Sequence, residues 1–299
     1  MAETGRPPLP PWLKVSVPSG EKVARIRRTC AERGLNTVCA SARCPNLGEC
    51  WGAGTATFMI LGGSCTRGCR FCSVPSAARP PAPRAEEPGL LAETAAELGL
   101  RYVVLTTVCR DDLPDQGAGH IAACIRAVKR RVPRIKVEIL MQDFTGDEAA
   151  LRAVAAAAPD IIGHNLETVE RLSPAVRDGR CGYRLSLRTL AALRRVAPGT
   201  PLKSSLMLGL GENDDEVAAA LRDLRGAGVD LVTIGQYLRP TGAGRHLPVA
   251  RYVAPEEFQA WSARALGLGF KHASCGPFVR SSYHAAEAFT ASLLSGRID

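Results

Sequence analysis

The sequence predicts an α/β fold whose parallel strands close into a full or partial barrel. Two observations carry this. From about residue 55 onward, short β-rich apolar runs alternate with helical stretches at intervals of roughly 30 residues or a little more, the cadence of βα units. The chain has 299 residues, enough for a barrel of ~250 residues with extensions. An open doubly wound sheet would give the same cadence, because closure cannot be read from a one-dimensional pattern.

Taken in order, the predicted strands are 56–61, 102–107, 136–141, 160–164, 202–208, 231–236 and 270–273. Between them the 3.6-residue apolar period predicts helices over 90–98, 120–131, 147–157, 189–196, 215–227 and 255–266. Residues 1–54 do not follow this cadence. A proline-rich start leads to one predicted helix over 21–33, then to a cysteine-bearing loop, which makes this segment an N-terminal extension. The pair Gly209 and Gly211 fits a tight turn after a strand. Asp214 stands where a dinucleotide fingerprint needs its third glycine.

Composition narrows the function classes. Nearly half the residues are apolar, which fits a globular domain. The first 14 residues hold four prolines and no apolar run, and no later run reaches the ~20 residues of a membrane helix, so a cytoplasmic protein without membrane contact is expected. The net charge of +9 suits an acidic partner. Basic residues are spread along the chain without interleaved aromatics, which argues against nucleic acid as that partner. Eleven cysteines, an odd number, read in a reducing compartment as metal ligands or reactive thiols.

Their spacing is the strongest signal. Cys65, Cys69 and Cys72 lie on one glycine-containing loop directly after the first predicted barrel strand. Three thiolates on a cube of four irons leave one iron open to chelate a small molecule. A zinc site would want a fourth close ligand. Upstream, Cys39, Cys44 and Cys50 form a second triplet, with Pro45 and Gly48 placed to keep the segment from being a regular helix. A second cluster is the economical reading. Spacing alone leaves zinc or a structural role open.

The CxxxCxxC loop, with Phe71 before its last cysteine, resembles the cluster loop of the radical S-adenosylmethionine (SAM) superfamily. With the upstream CxxxxCxxxxxC triplet, the chain resembles the lipoyl synthase family. The flanking segments Cys44-Pro-Asn-Leu-Gly-Glu-Cys50, Gly54-Thr-Ala-Thr-Phe-Met-Ile-Leu61, Arg110-Asp-Asp-Leu-Pro114, His164-Asn-Leu-Glu-Thr168, 203–212, 235–240 and Arg280-Ser-Ser-Tyr283 are similar to that family over residues 12–285. The resemblance implies a partial (β/α)6-type TIM barrel over 55–273, an N-terminal extension over 1–54 with the auxiliary cysteines, and a C-terminal tail over 274–299. It implies that Arg280-Ser-Ser-Tyr283 supplies an oxygen ligand to the second cluster, here Ser282, with Ser281 the less favoured choice. A capping or turn role is the ordinary reading of a Ser-Ser pair.

The same resemblance implies a sulfurtransferase reaction with two 4Fe-4S clusters and two SAM per product. The cluster on Cys65, Cys69 and Cys72 would reduce SAM to methionine and a 5′-deoxyadenosyl radical. Sulfur from the cluster on Cys39, Cys44, Cys50 and Ser282 would enter carbons 6 and 8 of an octanoyl-lysine. No side-chain base can deprotonate an unactivated methylene, so the cofactors must supply the radical. Implied partners are octanoylated lipoyl carrier domains of 2-oxoacid dehydrogenases and the glycine-cleavage H protein, a flavodoxin- or ferredoxin-type reductant, and an iron–sulfur carrier that rebuilds the spent cluster. Asn165 and Glu167, polar groups at a predicted strand end, suit contacts to SAM. A helix-start carboxylate is an equal reading of Glu167. Lys203 has the same candidate role, against a lysine that snorkels to the surface.

Three positions depart from the family pattern. Cys109 replaces an expected aspartate, Ser205 an expected glycine, and Cys275 precedes Gly276-Pro277. Cys30, Cys109, Cys124, Cys181 and Cys275 remain outside the two triplets, and small buried thiols are the plain reading of each. Rival readings are a methylthiotransferase or a biotin-synthase-like sulfur inserter, and, from another class, a non-catalytic iron–sulfur or zinc protein.

Overall fold

Short runs rich in Val, Ile, Leu and Thr form a sheet because both of its faces are covered, helices packing on one side and side chains filling the other. The structure, a computed structural model, describes residues 9–13, 21–38, 46–52, 55–241 and 244–283. The strands are β1 (Asn36–Thr37), β2 (Thr55–Ile60), β3 (Tyr102–Thr107), β4 (Lys136–Leu140), β5 (Ile161–Gly163), β6 (Leu202–Leu208), β7 (Leu231–Gln236) and β8 (His272–Gly276). The helices are α1 (Glu21–Glu32), α2 (Leu47–Gly52), α3 (Glu87–Glu97), α4 (Ala118–Arg131), α5 (Glu148–Ala155), α6 (Ser173–Val176), α7 (Tyr183–Val196), α8 (Asp214–Gly226) and α9 (Pro255–Gly267).

The sheet runs β1 to β8 in sequence order, with β2 through β8 parallel and β1 antiparallel to β2. A doubly wound sheet would reverse its order at a switch point. This one never does, so right-handed crossovers place successive helices on one face. There α3 packs on α4, α4 on α5, and α5 on α7. Among the described residues the ladder ends at β8 without returning to β1 or β2. The result is an open, partial parallel barrel, as expected. It gathers the C-terminal ends of β2 through β8 along one rim.

Local differences from the predicted elements have physical causes. Residues 47–52 are helical, with Leu47 and Trp51 buried against the core. That burial outweighs the ~1 kcal/mol an internal glycine costs. Helix α7 begins six residues before position 189, because Tyr183 and Ser186 are buried and extend its inner face. Strand β8 continues past residue 273 to Gly276, since Cys275 and Gly276 still pair with Ile234 and Gly235. Among the described residues no helix is long and apolar enough to cross a membrane.

Candidate active site

The polypeptide leaves β2 through Leu61 and Gly62, both in the left-handed region (φ 72° and 103°). Such a conformation costs a leucine ~1 kcal/mol or more and needs outside support. Support comes from three sides: Leu61 N–H donates to Glu87 Oε2 (3.0 Å), Arg110 Nη1 donates to the Leu61 carbonyl (3.1 Å), and Leu61 is fully buried. The bend turns residues 63–76 over the rim, and this segment carries Cys65, Cys69 and Cys72.

Arg67, between the first two of these cysteines, fixes the loop to two neighbouring strand ends. Its guanidinium donates to Asp143 beyond β4 (2.7 and 2.9 Å) and to Asp111 beyond β3 (2.8, 3.0 and 3.2 Å). The Arg67 and Asp143 side chains are each 1% exposed, so the pairing is shielded from solvent and salt. Burial acts to raise both carboxyls, yet the hydrogen bonds from Arg67, joined at Asp111 by that of Thr66, hold each below the usual carboxylate range. Further ties come from Gly68 N–H to Asp178 (2.8 Å), Arg70 N–H to the Val176 carbonyl (2.8 Å), and His246 to the Cys72 carbonyl (2.9 Å). Arg245 donates to the Val74 carbonyl (2.6 Å) and to Ser76.

The sulfurs stand among donors. Cys65 Sγ accepts from the backbone N–H of Arg67 (3.4 Å) and of Cys109 (3.3 Å), and Cys69 Sγ accepts from Asp178 N–H (3.4 Å). Such N–H···S bonds stabilise thiolate sulfur in iron–sulfur sites, so the donor set fits a thiolate-bound cluster. The thiol of Cys109 and these N–H groups draw Cys65 toward thiolate against its burial. Cys69, beside Cys181, and Cys72, through burial, are pushed the other way, and metal binding would have to displace their protons.

Strand β5 is followed directly by His164, Asn165, Leu166 and Glu167. His164 Nδ1 lies 2.9 Å from the Met141 carbonyl, an acceptor only, so Nδ1 carries the proton. Nε2 then accepts from Ser186 Oγ (2.9 Å), which in turn accepts from Arg177 Nη1 (2.7 Å). Burial lowers this imidazole to about 4, and it is neutral at physiological pH. Glu167 also takes a positive φ (72°) and bridges to Leu206 of β6; burial pushes its carboxyl upward. Asn165 Nδ2 donates to Ser281 Oγ (2.8 Å), joining the β5 end to the tail after β8.

That tail also meets the N-terminal extension. Asn46 Nδ2 donates to the Phe278 carbonyl (2.6 Å), and the Tyr283 hydroxyl to Glu49 (3.2 Å). Helix α2, which carries Cys50, is thereby fastened to the segment that carries Ser282. The close approach of β7 to the tail requires Gly235, where a Cβ would fall 2.1 Å from the Val279 carbonyl oxygen.

The structure does not bring Lys203 to this group. Lys203 lies near the start of β6, its Nζ buried against Glu138 (2.9 and 3.2 Å), which also accepts from the Tyr102 hydroxyl (2.9 Å). It neither faces the rim nor snorkels to the surface. Cys39 and Cys44 lie outside the described residues. Cys30 and Cys124 are buried thiols as expected, but Cys109 and Cys181 are half-buried against the cysteine loop.

Arg67, Asp143 and Asp178 have no signature in the sequence. Only the position of Asp143 just beyond a predicted strand could have singled it out.

The pattern of the radical SAM superfamily matches residues 59–224, and that of the N-terminal domain of lipoyl synthase matches residues 1–44. The chain is 54% identical over 280 residues to a lipoyl synthase of Anaeromyxobacter dehalogenans (strain 2CP-C), covering 94% of each chain. It is 50% identical over 300 residues to a mitochondrial lipoyl synthase of Culex quinquefasciatus, covering 99% of this chain and 78% of the relative. Among solved structures, the FeFe-hydrogenase maturase HydG from Carboxydothermus hydrogenoformans superposes with a TM-score of 0.55 at 13% identity, over 90% of this chain and 60% of that one. At that identity the likeness speaks for the fold alone.

Proposed function

The chain belongs to the lipoyl synthase family of the radical SAM superfamily, and from that premise we propose how its residues divide the work. The reaction is insertion of two sulfur atoms at carbons 6 and 8 of a protein-bound octanoyl-lysine, with two 4Fe-4S clusters and SAM as cofactors. When bound, the cofactors supply what side chains cannot: one-electron cleavage of SAM to a hydrogen-abstracting radical, and sulfide sulfur for the chain carbons.

Cys65, Cys69 and Cys72 hold the cluster that engages SAM. Arg67 keeps their loop in one geometry by anchoring it to Asp111 and Asp143, so little ordering remains when the cluster binds. Asn165 and Glu167 hydrogen-bond SAM at the end of β5. Glu167 stands at a strained position that the β6 bridge holds in place.

Cys39, Cys44, Cys50 and Ser282 hold the second, sacrificial cluster. The observation that carries this assignment is the docking of α2 onto the tail through Asn46–Phe278 and Glu49–Tyr283. Two segments more than 230 residues apart are tied together, one bearing a cysteine of the triplet and the other the serine pair. Ser281 is engaged by Asn165, which favours Ser282 as the ligand. Its oxygen would be a harder and more exchangeable ligand than a thiolate.

The octanoyl group arrives on an acidic carrier domain of a 2-oxoacid dehydrogenase or on the H protein, drawn by the +9 charge of the chain. A flavodoxin or ferredoxin serves as reductant and an iron–sulfur carrier rebuilds the spent cluster. The reaction takes place in the reducing cytosol, where thiolate ligands of a metal cluster persist.

An anaerobic turnover with dithionite, SAM and an octanoyl-lysine peptide tests the reading. Lipoyl peptide and 5′-deoxyadenosine are the expected products; SAM cleavage without thiolated peptide refutes the sacrificial role of the second cluster. Raised salt should weaken use of a whole carrier domain far more than use of the peptide, and equal effects would refute charge-guided docking.

A further inference from the structure

Cys181 has no part in either ligand set, yet it stands at the cysteine loop. Its Sγ is 4.0 Å from Cys69 Sγ and accepts from Arg67 Nη1 (3.2 Å). The proximity is built in, because residues 68–70 and 176–178 are laced together by Gly68 N–H to Asp178, Arg70 N–H to the Val176 carbonyl, and Asp178 N–H to Cys69 Sγ. Both thiols are half-buried, within reach of a small reagent. A disulfide needs the two sulfurs to close from this contact to ~2.05 Å.

We propose that Cys181 is an oxidation partner for Cys69 in the cluster-free chain. A low-molecular-weight disulfide such as glutathione disulfide exchanges with one of the two thiols to give a mixed disulfide and one thiol. The neighbouring sulfur then displaces the second small thiol, leaving Cys69–Cys181. The chain loses two electrons and two protons, and one small disulfide becomes two thiols. The product withdraws one of the three loop ligands and shields it from irreversible oxidation until a thiol reductant reopens it. With a cluster in place the Cys69 sulfur is committed to iron and the pair is silent. This consequence rests on the assignment of Cys69 as a ligand; formation of the disulfide does not.

The full chain, stripped of iron under reduction and then exposed to glutathione disulfide without air, tests the inference. Trypsin separates the relevant thiols, since Arg67, Arg70, Arg180 and Arg184 bound the peptides 68–70 and 181–184, each with one cysteine. Non-reducing mass spectrometry should find these two peptides joined. Iron and sulfide uptake should then require a thiol reductant, whereas Cys181→Ser, oxidised in the same way, should carry glutathione on Cys69.

Joining of Cys69 to Cys72 or Cys65 in the wild type, or both thiols remaining open to alkylation, overturns the inference. Iron loading of the reduced wild type and of reduced Cys181→Ser is read separately. Failure there counts against the cluster assignment and leaves the disulfide result standing on its own.

Discussion

Replacing Arg67 by alanine should damage this site more than the loss of any other single loop side chain outside Cys65, Cys69 and Cys72. The substitution removes five hydrogen bonds to two carboxylates. It leaves Asp143, whose side chain is 1% exposed, with the Thr145 N–H as its remaining hydrogen-bond donor among the described residues and no ion-pair partner there. Removing one partner of a buried pair costs ~3–5 kcal/mol, because the remaining charge has been taken out of water without compensation. At ~2–4 °C per kcal/mol for chains of this order of size, thermal unfolding of cluster-free protein should occur ~6–20 °C lower. Arg67→Lys keeps the charge but cannot span both carboxylates, and should fall between. Arg67→Ala with Asp143→Asn removes the orphaned charge and should recover part of the loss.

The depressed Asp143 carboxyl adds a pH signature. Its contribution to stability is complete above the ordinary aspartate range near ~4 and disappears as pH falls through the lower folded value. The gap between wild type and Arg67→Ala should therefore narrow in acid. Scanning calorimetry across pH, with iron analysis after anaerobic reconstitution, makes the measurement. An Arg67→Ala protein that melts within 2 °C of wild type and still takes up about eight irons would refute the anchoring argument.

Further outcomes follow from other groups. Reconstituted wild type should hold about eight irons, and Cys44→Ala and Cys69→Ala about four each; eight in either variant removes that cysteine from the ligand set. Gly235→Ala places a methyl against the Val279 carbonyl and should displace the tail, lowering auxiliary-cluster occupancy while the loop cluster is retained; full loading of both would show that the tail has room to give. His164, held neutral to about 4 against an ordinary 6.5, contributes stability that is complete above pH 6.5 and is lost as pH falls toward 4, about 3 kcal/mol in all. Urea titrations of wild type and His164→Gln across that window should diverge by this amount, and parallel curves would refute it. Lys203→Met should cost ~3–5 kcal/mol by stranding Glu138, and Lys203→Met with Glu138→Gln much less; a SAM affinity unchanged in the stable double variant is expected from its place away from the rim.

The strands and most helices were legible in the sequence because burial on both faces leaves apolar runs, and because the βα cadence fixes a parallel order. The cysteine triplets stand out in the sequence for a similar reason: the ligand chemistry proposed for them is tied to residue type and spacing. What the sequence could not supply was pairing at long range. A serine pair near residue 282 and a cysteine at 50 acquire meaning together only when Asn46 and Glu49 bond the tail. Lys203 reads as a possible rim residue until the register of β6 sets it against Glu138. Arg67, Asp143 and Cys181 are ordinary letters in one dimension. Their roles come from distances between segments 76 to 114 residues apart, and such distances are decided by the order and curvature of the sheet and not by any local propensity.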